Sequence, residues 1–153
     1  TINDHWGYNI TDTLYKSPKE LIQMLVRAAG KNANLLLNIG PEPGGALPDL
    51  ALNRLKAMGE WLKQYGETIY GTRGGIIAPH DWGVSTQRGN KLYVHILDCM
   101  DSSLYLPTGN RKVKSAKVFA TGKPVRFTKT GDGITVNMDE APKEIDYILE
   151  LTL

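Results

Sequence analysis

The chain opens with a concentration of polar and aromatic side chains that could recognise a sugar. Residues 1–9 read Thr-Ile-Asn-Asp-His-Trp-Gly-Tyr-Asn and include Asn3, His5 and Trp6. The face of an indole ring can cover the apolar C–H groups of a sugar, while neighbouring amide and imidazole groups can hydrogen-bond to its hydroxyls. The sequence therefore predicts a binding loop centred on Trp6. The alternative, in which Trp6 and Tyr8 only seal the loop against the rest of the fold, stays open at this point.

The other reactive side chains form no recognisable catalytic or metal centre. The carboxylates of the first half fall mostly at helix caps or on solvated helix faces, so no pair is placed for acid–base catalysis. His80 and His95 lack metal-ligand spacing and are interpreted as structural. Cys99 is the lone cysteine, which excludes an internal disulfide and any multi-cysteine metal site. We therefore expect this chain to bind no metal and no cofactor.

Composition excludes several classes of function. The 153 residues carry a formal net charge of +2, without the concentrated positive field that nucleic-acid binding requires. The chain is 41% hydrophobic and 22% charged, with a mean hydropathy of −0.29, as in ordinary globular proteins. No apolar run approaches the ~18 residues of a membrane span. The chain begins with Thr1 and shows no signal-like run, so we expect it to be a piece of a longer polypeptide.

The first half predicts two helices and one strand. Ser17-Pro18-Lys19-Glu20 is a capping box that begins a helix over residues 17–30, with Gly30 expected in the left-handed C′ position. Residues 34–39 are apolar on both faces, as in a strand buried in a parallel sheet. A second amphipathic helix is predicted over 49–65. Residues 1–73 could not close a layered α/β core alone, so further strands are expected upstream.

The second half predicts a small antiparallel β-sandwich. Short β-rich runs separated by turn residues occupy 83–87, 91–97, 103–106, 116–121, 125–129, 134–138 and 146–153. The boundary between the halves is predicted near residues 73–75. The expected fold class is therefore α/β followed by all-β, with 1–73 and 74–153 as two domains.

Several blocks of the first half resemble the C-terminal part of the α-L-fucosidases of glycoside hydrolase family 29. They are the opening nine residues, Lys16-Ser17, Asn34-Leu-Leu-Leu-Asn-Ile-Gly-Pro41, Gly59-Glu-Trp-Leu62 and Gly66-Glu-Thr-Ile-Tyr-Gly-Thr-Arg73. They occur in the family's order over residues 1–73. The later residues match more loosely, but these enzymes also carry a β-sandwich after a (β/α)8-like barrel.

The resemblance implies the end of such a barrel followed by the sandwich, in a retaining hydrolase that releases terminal α-L-fucose from glycans. The Asp nucleophile and Glu acid/base would lie upstream, in the N-terminal part of the same enzyme, so this chain would hold no catalytic residue. Trp6 takes the family's pocket-lining aromatic position, with His5 and Asn3 as weaker substrate-binding expectations. The resemblance implies a periplasmic, secreted or lysosomal protein and leaves oligomerisation open.

A second function class is a non-catalytic carbohydrate-binding or scaffolding role for residues 74–153. A sugar-binding module of this kind should present two or more exposed, coplanar aromatic rings. The candidates share strand or strand-edge positions, where alternation would bury many of them: Tyr93, Tyr105, Phe119, Phe127 and Tyr147.

Overall fold

The structure, a computed structural model, describes residues 1–153 and is largely antiparallel β with two helices. The helices are α1 (Pro18–Gly30) and α2 (Asp49–Tyr65), the second followed by a short 3-10 helix (Gly66–Thr68). The strands are β1 (Arg73–Gly74), β2 (Gly83–Arg88), β3 (Lys91–Ile96), β4 (Ser103–Leu106), β5 (Ser115–Val118), β6 (Arg126–Thr130), β7 (Gly133–Asn137) and β8 (Tyr147–Thr152). No helix is long and apolar enough to cross a membrane.

Helix α1 begins as its sequence predicts. The Glu20 N–H donates to the Ser17 hydroxyl at 3.2 Å, and the Ser17 N–H donates to the Glu20 carboxylate at 2.7 Å, which completes the capping box. The prediction that Gly30 takes the left-handed conformation after the helix is wrong. Gly30 is the last residue of the helix, and Asn32 has the positive φ, +56°. Gly30 serves close packing instead, because a Cβ there would lie 2.4 Å from Cβ of Val84 on β2.

The strand predicted over residues 34–39 is not present. The segment is extended, yet only one backbone hydrogen bond joins it to a neighbouring segment, from the Ile2 N–H to the Asn38 carbonyl at 3.0 Å. Leu36 is 84% exposed, although the apolar run predicted burial on both faces. A strand needs hydrogen-bonding neighbours at its edges, and no other strand of this chain pairs with the segment.

The strands form two antiparallel sheets, in the orders β1-β2-β3-β8-β5 and β4-β7-β6. Side chains from both sheets meet in one hydrophobic core, which is contributed by alternate positions of the central strands, such as Leu92, Val94 and Leu149. The positions between them face the opposite side of the five-stranded sheet. There Tyr93 and Ile148 join a second core with α1 and α2.

The central sheet is therefore covered on both faces, by the helices on one side and by the second sheet on the other. Strand β3 is buried along almost its whole length, because its two faces belong to different cores. The sequence periodicity placed this strand correctly, but it did not predict that α1 and α2 would lie against it. Through that packing the sheet holds α1 and the loop that precedes it.

Candidate functional site

The opening loop is held by one carboxylate, that of Asp12. One of its oxygens lies 2.8 Å from both the Asn3 amide nitrogen and Nδ1 of His5, and it accepts the His5 backbone N–H at 3.1 Å. The other oxygen accepts the backbone N–H of Leu14 at 3.1 Å. The Asp12 side chain is only 2% exposed. Asp12 thus ties Asn3 and His5 to the turn that precedes α1.

The protonation of this cluster follows from its contacts. The side-chain hydrogen bond from His5 is the largest influence that lowers the pKa of Asp12, to about 2, and the bonds from Leu14, His5 and Asn3 add to it. An ionised carboxylate only accepts hydrogen bonds, so Nδ1 of His5 must carry a proton. The His5 side chain is 58% exposed, which leaves Nε2 available to a hydroxyl group.

Trp6 lies at the exposed tip of this loop. Its backbone carbonyl accepts a 2.8 Å hydrogen bond from the Asn38 side-chain amide, while the residue as a whole is 73% exposed. The loop backbone also rests on Gly40, where an added Cβ would come within 2.4 Å of backbone atoms of Gly7 and Tyr8. The backbone of Trp6 is therefore fixed by the 34–40 segment, and its indole is left free for an external contact.

The structure separates the three predicted substrate-binding residues into two layers. Trp6 and His5 expose their side chains, whereas Asn3 is buried beneath them. The Asn3 amide nitrogen is bonded to Asp12, and its side-chain oxygen is buried without a partner. Sequence analysis missed Asp12 as the central residue of this cluster. Its spacing from Asn3 and His5 matches no motif, so the sequence carried no signal for this contact.

The aromatic platform that a sugar-binding sheet would need is not formed. Of the five aromatic candidates only Tyr105 is exposed. Tyr93 is fully buried, and Phe119, Phe127 and Tyr147 pack against one of the two cores. No two of these rings are therefore available as an exposed, coplanar surface.

A second polar cluster has the connections of a catalytic triad but is closed to substrate. Nδ1 of His95 lies 2.7 Å from an oxygen of Asp146, and Nε2 lies 3.1 Å from the Thr86 hydroxyl. That hydroxyl donates to the carbonyl of Thr68. The side chains of His95 and Asp146 are fully buried. Without access for a substrate this cluster is structural, as predicted for His95, and it ties β2, β3 and the segment before β8 to the 3-10 helix.

No group of three or more His, Cys, Asp or Glu side chains in the structure could hold a metal ion. The site therefore consists of an exposed indole and imidazole on a loop anchored by a buried carboxylate. This arrangement can bind and orient a polyhydroxylated ligand, and it offers no pair of carboxylates for hydrolysis.

The chain is similar to proteins of one enzyme family. The sequence profile of the family described as Alpha-L-fucosidase matches residues 1–67. The plasma alpha-L-fucosidase of Rattus norvegicus is 31% identical over 144 residues, covering 87% of this chain and 31% of the relative. The tissue alpha-L-fucosidase of Mus musculus is 37% identical over 167 residues, covering 96% of this chain and 35% of the relative.

Solved structures match over nearly the whole chain. Alpha-L-fucosidase isoenzyme 1 from Paenibacillus thiaminolyticus is 38% identical with a TM-score of 0.87, over 99% of this chain and 38% of that one. The Thermotoga maritima alpha-fucosidase, solved in complex with fucose, is 30% identical with a TM-score of 0.83, over 99% of this chain and 38% of that one. These relatives are glycoside hydrolases. The chain belongs to the α-L-fucosidase family, glycoside hydrolase family 29, and spans about a third of the length of the curated relatives it matches.

The depressed pKa of Asp12 predicts a pH-dependent anchor for the loop. A carboxyl whose pKa is lower in the folded state contributes stability that is fully present above its unfolded pKa of 3.8 and is lost as pH falls towards 2. We therefore expect Asp12→Asn to lower the melting temperature by a constant amount from pH 7 to about 4. The difference from wild type should then shrink between pH 4 and 2.

Thermal melts of both proteins across this pH range test the prediction. Asp4→Asn is the matched control, because Asp4 lies in the same loop, is exposed and accepts no side-chain hydrogen bond. A wild-type advantage over Asp12→Asn that stayed constant down to pH 2 would contradict an ionised Asp12 as the anchor.

Proposed function

We propose that this chain is part of a retaining α-L-fucosidase that hydrolyses terminal α-L-fucose from glycans, and that it supplies one wall of the fucose pocket. The observation that carries the proposal is the exposed indole of Trp6 on a loop whose backbone is fixed by Asp12 and Asn38. An aromatic ring that stays exposed on an anchored loop is placed to contact a ligand rather than to pack in a hydrophobic core. Membership of the α-L-fucosidase family supports fucose as that ligand.

The chemistry of fucose suits this wall. Fucose carries a methyl group at C6 where common hexoses carry a hydroxymethyl, and an indole face can bury a methyl group that makes no hydrogen bonds. Burial of one methyl-sized group contributes only about 0.8 kcal/mol. The larger contribution of Trp6 is therefore to orient the sugar towards the reacting groups. His5, whose side chain is 58% exposed, is the second contact in this proposal, and Asn3 donates a hydrogen bond to Asp12 below them.

The finer architecture is also part of the proposal. Residues 1–73 would be the end of a (β/α)8-like barrel, and residues 74–153 a supporting β-sandwich. Three apolar side chains of the first half, Ile10, Leu14 and Leu36, are each at least two-thirds exposed. Exposed apolar surface of this kind favours a further part of the enzyme that packs over it. Neighbouring strands from the N-terminal part of the enzyme would pair with residues 34–39 and cover these side chains.

Hydrolysis with retention needs a carboxylate nucleophile and a carboxylic acid/base about 5–5.5 Å apart. No such pair lines the Trp6 loop in this chain, so the proposal places both in the N-terminal part. We expect the purified 153-residue chain to show no turnover of an aryl α-L-fucoside. A complete polypeptide that carries this chain should turn it over. Release of the aryl group by the isolated chain would overturn this assignment of the catalytic residues.

A further inference from the structure

A cavity of about 340 Å³ is lined mainly by residues between 118 and 148, in the C-terminal part of the chain. The Trp6 loop does not contribute to it. The cavity is open to solvent on one side and is lined by the β5–β6 and β7–β8 connections, by the strand ends next to them, and by the last residue of α2, Tyr65. None of residues 1–64 lines it. Its volume lies at the lower end of the range for small-molecule sites, about 300–1,000 Å³.

Two tyrosine rings form part of the cavity wall. Tyr65 packs against Trp61 and Phe119, with ring centroids 5.4 and 6.2 Å away, so its ring is held in place. Tyr147 packs against the core between the sheets, and its hydroxyl makes no hydrogen bond within the chain. Burial is the main influence that raises the pKa of both tyrosines, so each remains a neutral phenol at physiological pH. These rings offer an apolar surface that ends in hydroxyl groups.

The charged side chains around the cavity are balanced. Three are basic and three acidic, and all six are exposed: Lys123, Arg126, Lys143, Asp139, Glu140 and Glu144. Lys123 is paired with Asp139, and Lys143 lies 3.5 Å from Glu140. Asp146 also borders the cavity, but its side chain is fully buried against His95. The exposed charges of the rim therefore cancel in number, and they favour a neutral ligand over an ion.

We propose that this cavity is a binding site for a neutral saccharide. A sugar combines apolar C–H faces, which would lie against Tyr65 and Tyr147, with hydroxyl groups that both donate and accept hydrogen bonds. The rim supplies matching groups, namely the Asn137 amide, the Asp139 carboxylate and the Lys123 ammonium. This is a pocket rather than a flat aromatic surface, so it does not need the platform that the sheets lack. The site goes beyond the proposed function and does not depend on contact between Trp6 and fucose.

Titration of the ¹⁵N-labelled 153-residue chain, followed by NMR, tests the proposal. The probes are L-fucose, D-galactose, N-acetyl-D-glucosamine and lactose, each added separately, with inorganic phosphate as a charged control. We expect at least one sugar to cause saturable shifts in residues 118–126 and 137–148, and phosphate to cause none there. Shifts in residues 3–9 would report on the Trp6 loop instead, so the two sites are read separately.

Paired variants distinguish a specific site from weak surface contact. Tyr147→Phe removes one hydroxyl from the cavity with little change in packing and should weaken the responding sugar at least threefold. Tyr105→Phe also removes one hydroxyl, one that contacts Asp132 outside the cavity, and should leave the affinity unchanged. The proposal is overturned if no sugar saturates these residues, if phosphate does so, or if both variants bind with the wild-type affinity.

Discussion

Replacement of Trp6 by alanine, in a complete α-L-fucosidase that carries this chain, is expected to lower kcat/KM by about 10²-fold. The lost methyl contact is small, but a sugar held about 1 Å out of place relative to the catalytic carboxylates loses rate on this scale. Trp6→Phe keeps an aromatic wall and should retain much of the activity. Steady-state kinetics on an aryl α-L-fucoside measure both effects.

The melting temperature separates this role from a structural one. Trp6 is mostly exposed and its only hydrogen bond is through its backbone carbonyl, so Trp6→Ala should leave the melting temperature nearly unchanged. Tyr70→Ala is a control, because Tyr70 is also an exposed aromatic residue but lies beyond α2, away from the loop. A Trp6→Ala enzyme with wild-type kcat/KM, or one that is inactive only because it unfolds, would contradict sugar binding by Trp6. Trp6 would then only pack the loop against the rest of the enzyme.

Asp146→Ala is expected to destabilise the chain by about 3 kcal/mol. Removal of the carboxylate leaves Nδ1 of His95 buried without a partner, at the junction of β2, β3 and the 3-10 helix. The hydroxyl of Thr86 cannot replace the lost contact, because it lies 3.1 Å from the other ring nitrogen, Nε2, and donates to the Thr68 carbonyl. Urea unfolding, followed by circular dichroism, should show a lower midpoint with a similar slope.

An exposed aspartate provides the comparison. Asp139→Ala removes a carboxylate that pairs only with Lys123 at the surface, where solvent screens the ion pair, so this variant should change the urea midpoint much less than Asp146→Ala. The double variant Asp146→Ala/His95→Leu should recover part of the loss, because it removes the unpaired ring as well. Equal destabilisation by Asp139→Ala and Asp146→Ala would show that the buried pair has no special role.

Local signals in the sequence predicted most of the secondary structure. The capping box at Ser17 and the helical spacing that follows it placed α1, and alternation between turn residues placed β2 to β8 within a few residues. These signals are short-range, because capping and alternation are properties of a few consecutive residues. The structure confirms both helices and the antiparallel strands.

The features that sequence analysis missed depend on distant neighbours. Residues 34–39 have the composition of a buried strand, but a strand exists only where another strand pairs with it. Gly30 was assigned to a helix end, whereas its lack of a Cβ serves the close approach of Val84, 54 positions later. Asp12 carries no motif, and its role emerges only when the loop folds back upon it. The substrate-binding roles of Trp6 and His5 stay predictions, which rest on the residue types of the loop and on the family resemblance.

The anomeric configuration of the released sugar tests the central claim most directly. Hydrolysis of an aryl α-L-fucoside by a complete polypeptide that carries this chain can be followed by ¹H NMR from the first turnovers. A retaining α-L-fucosidase must release α-L-fucose first, with the β anomer appearing only as the sugar mutarotates. Initial release of β-L-fucose, or no release of fucose while another glycoside is cleaved, would contradict the account.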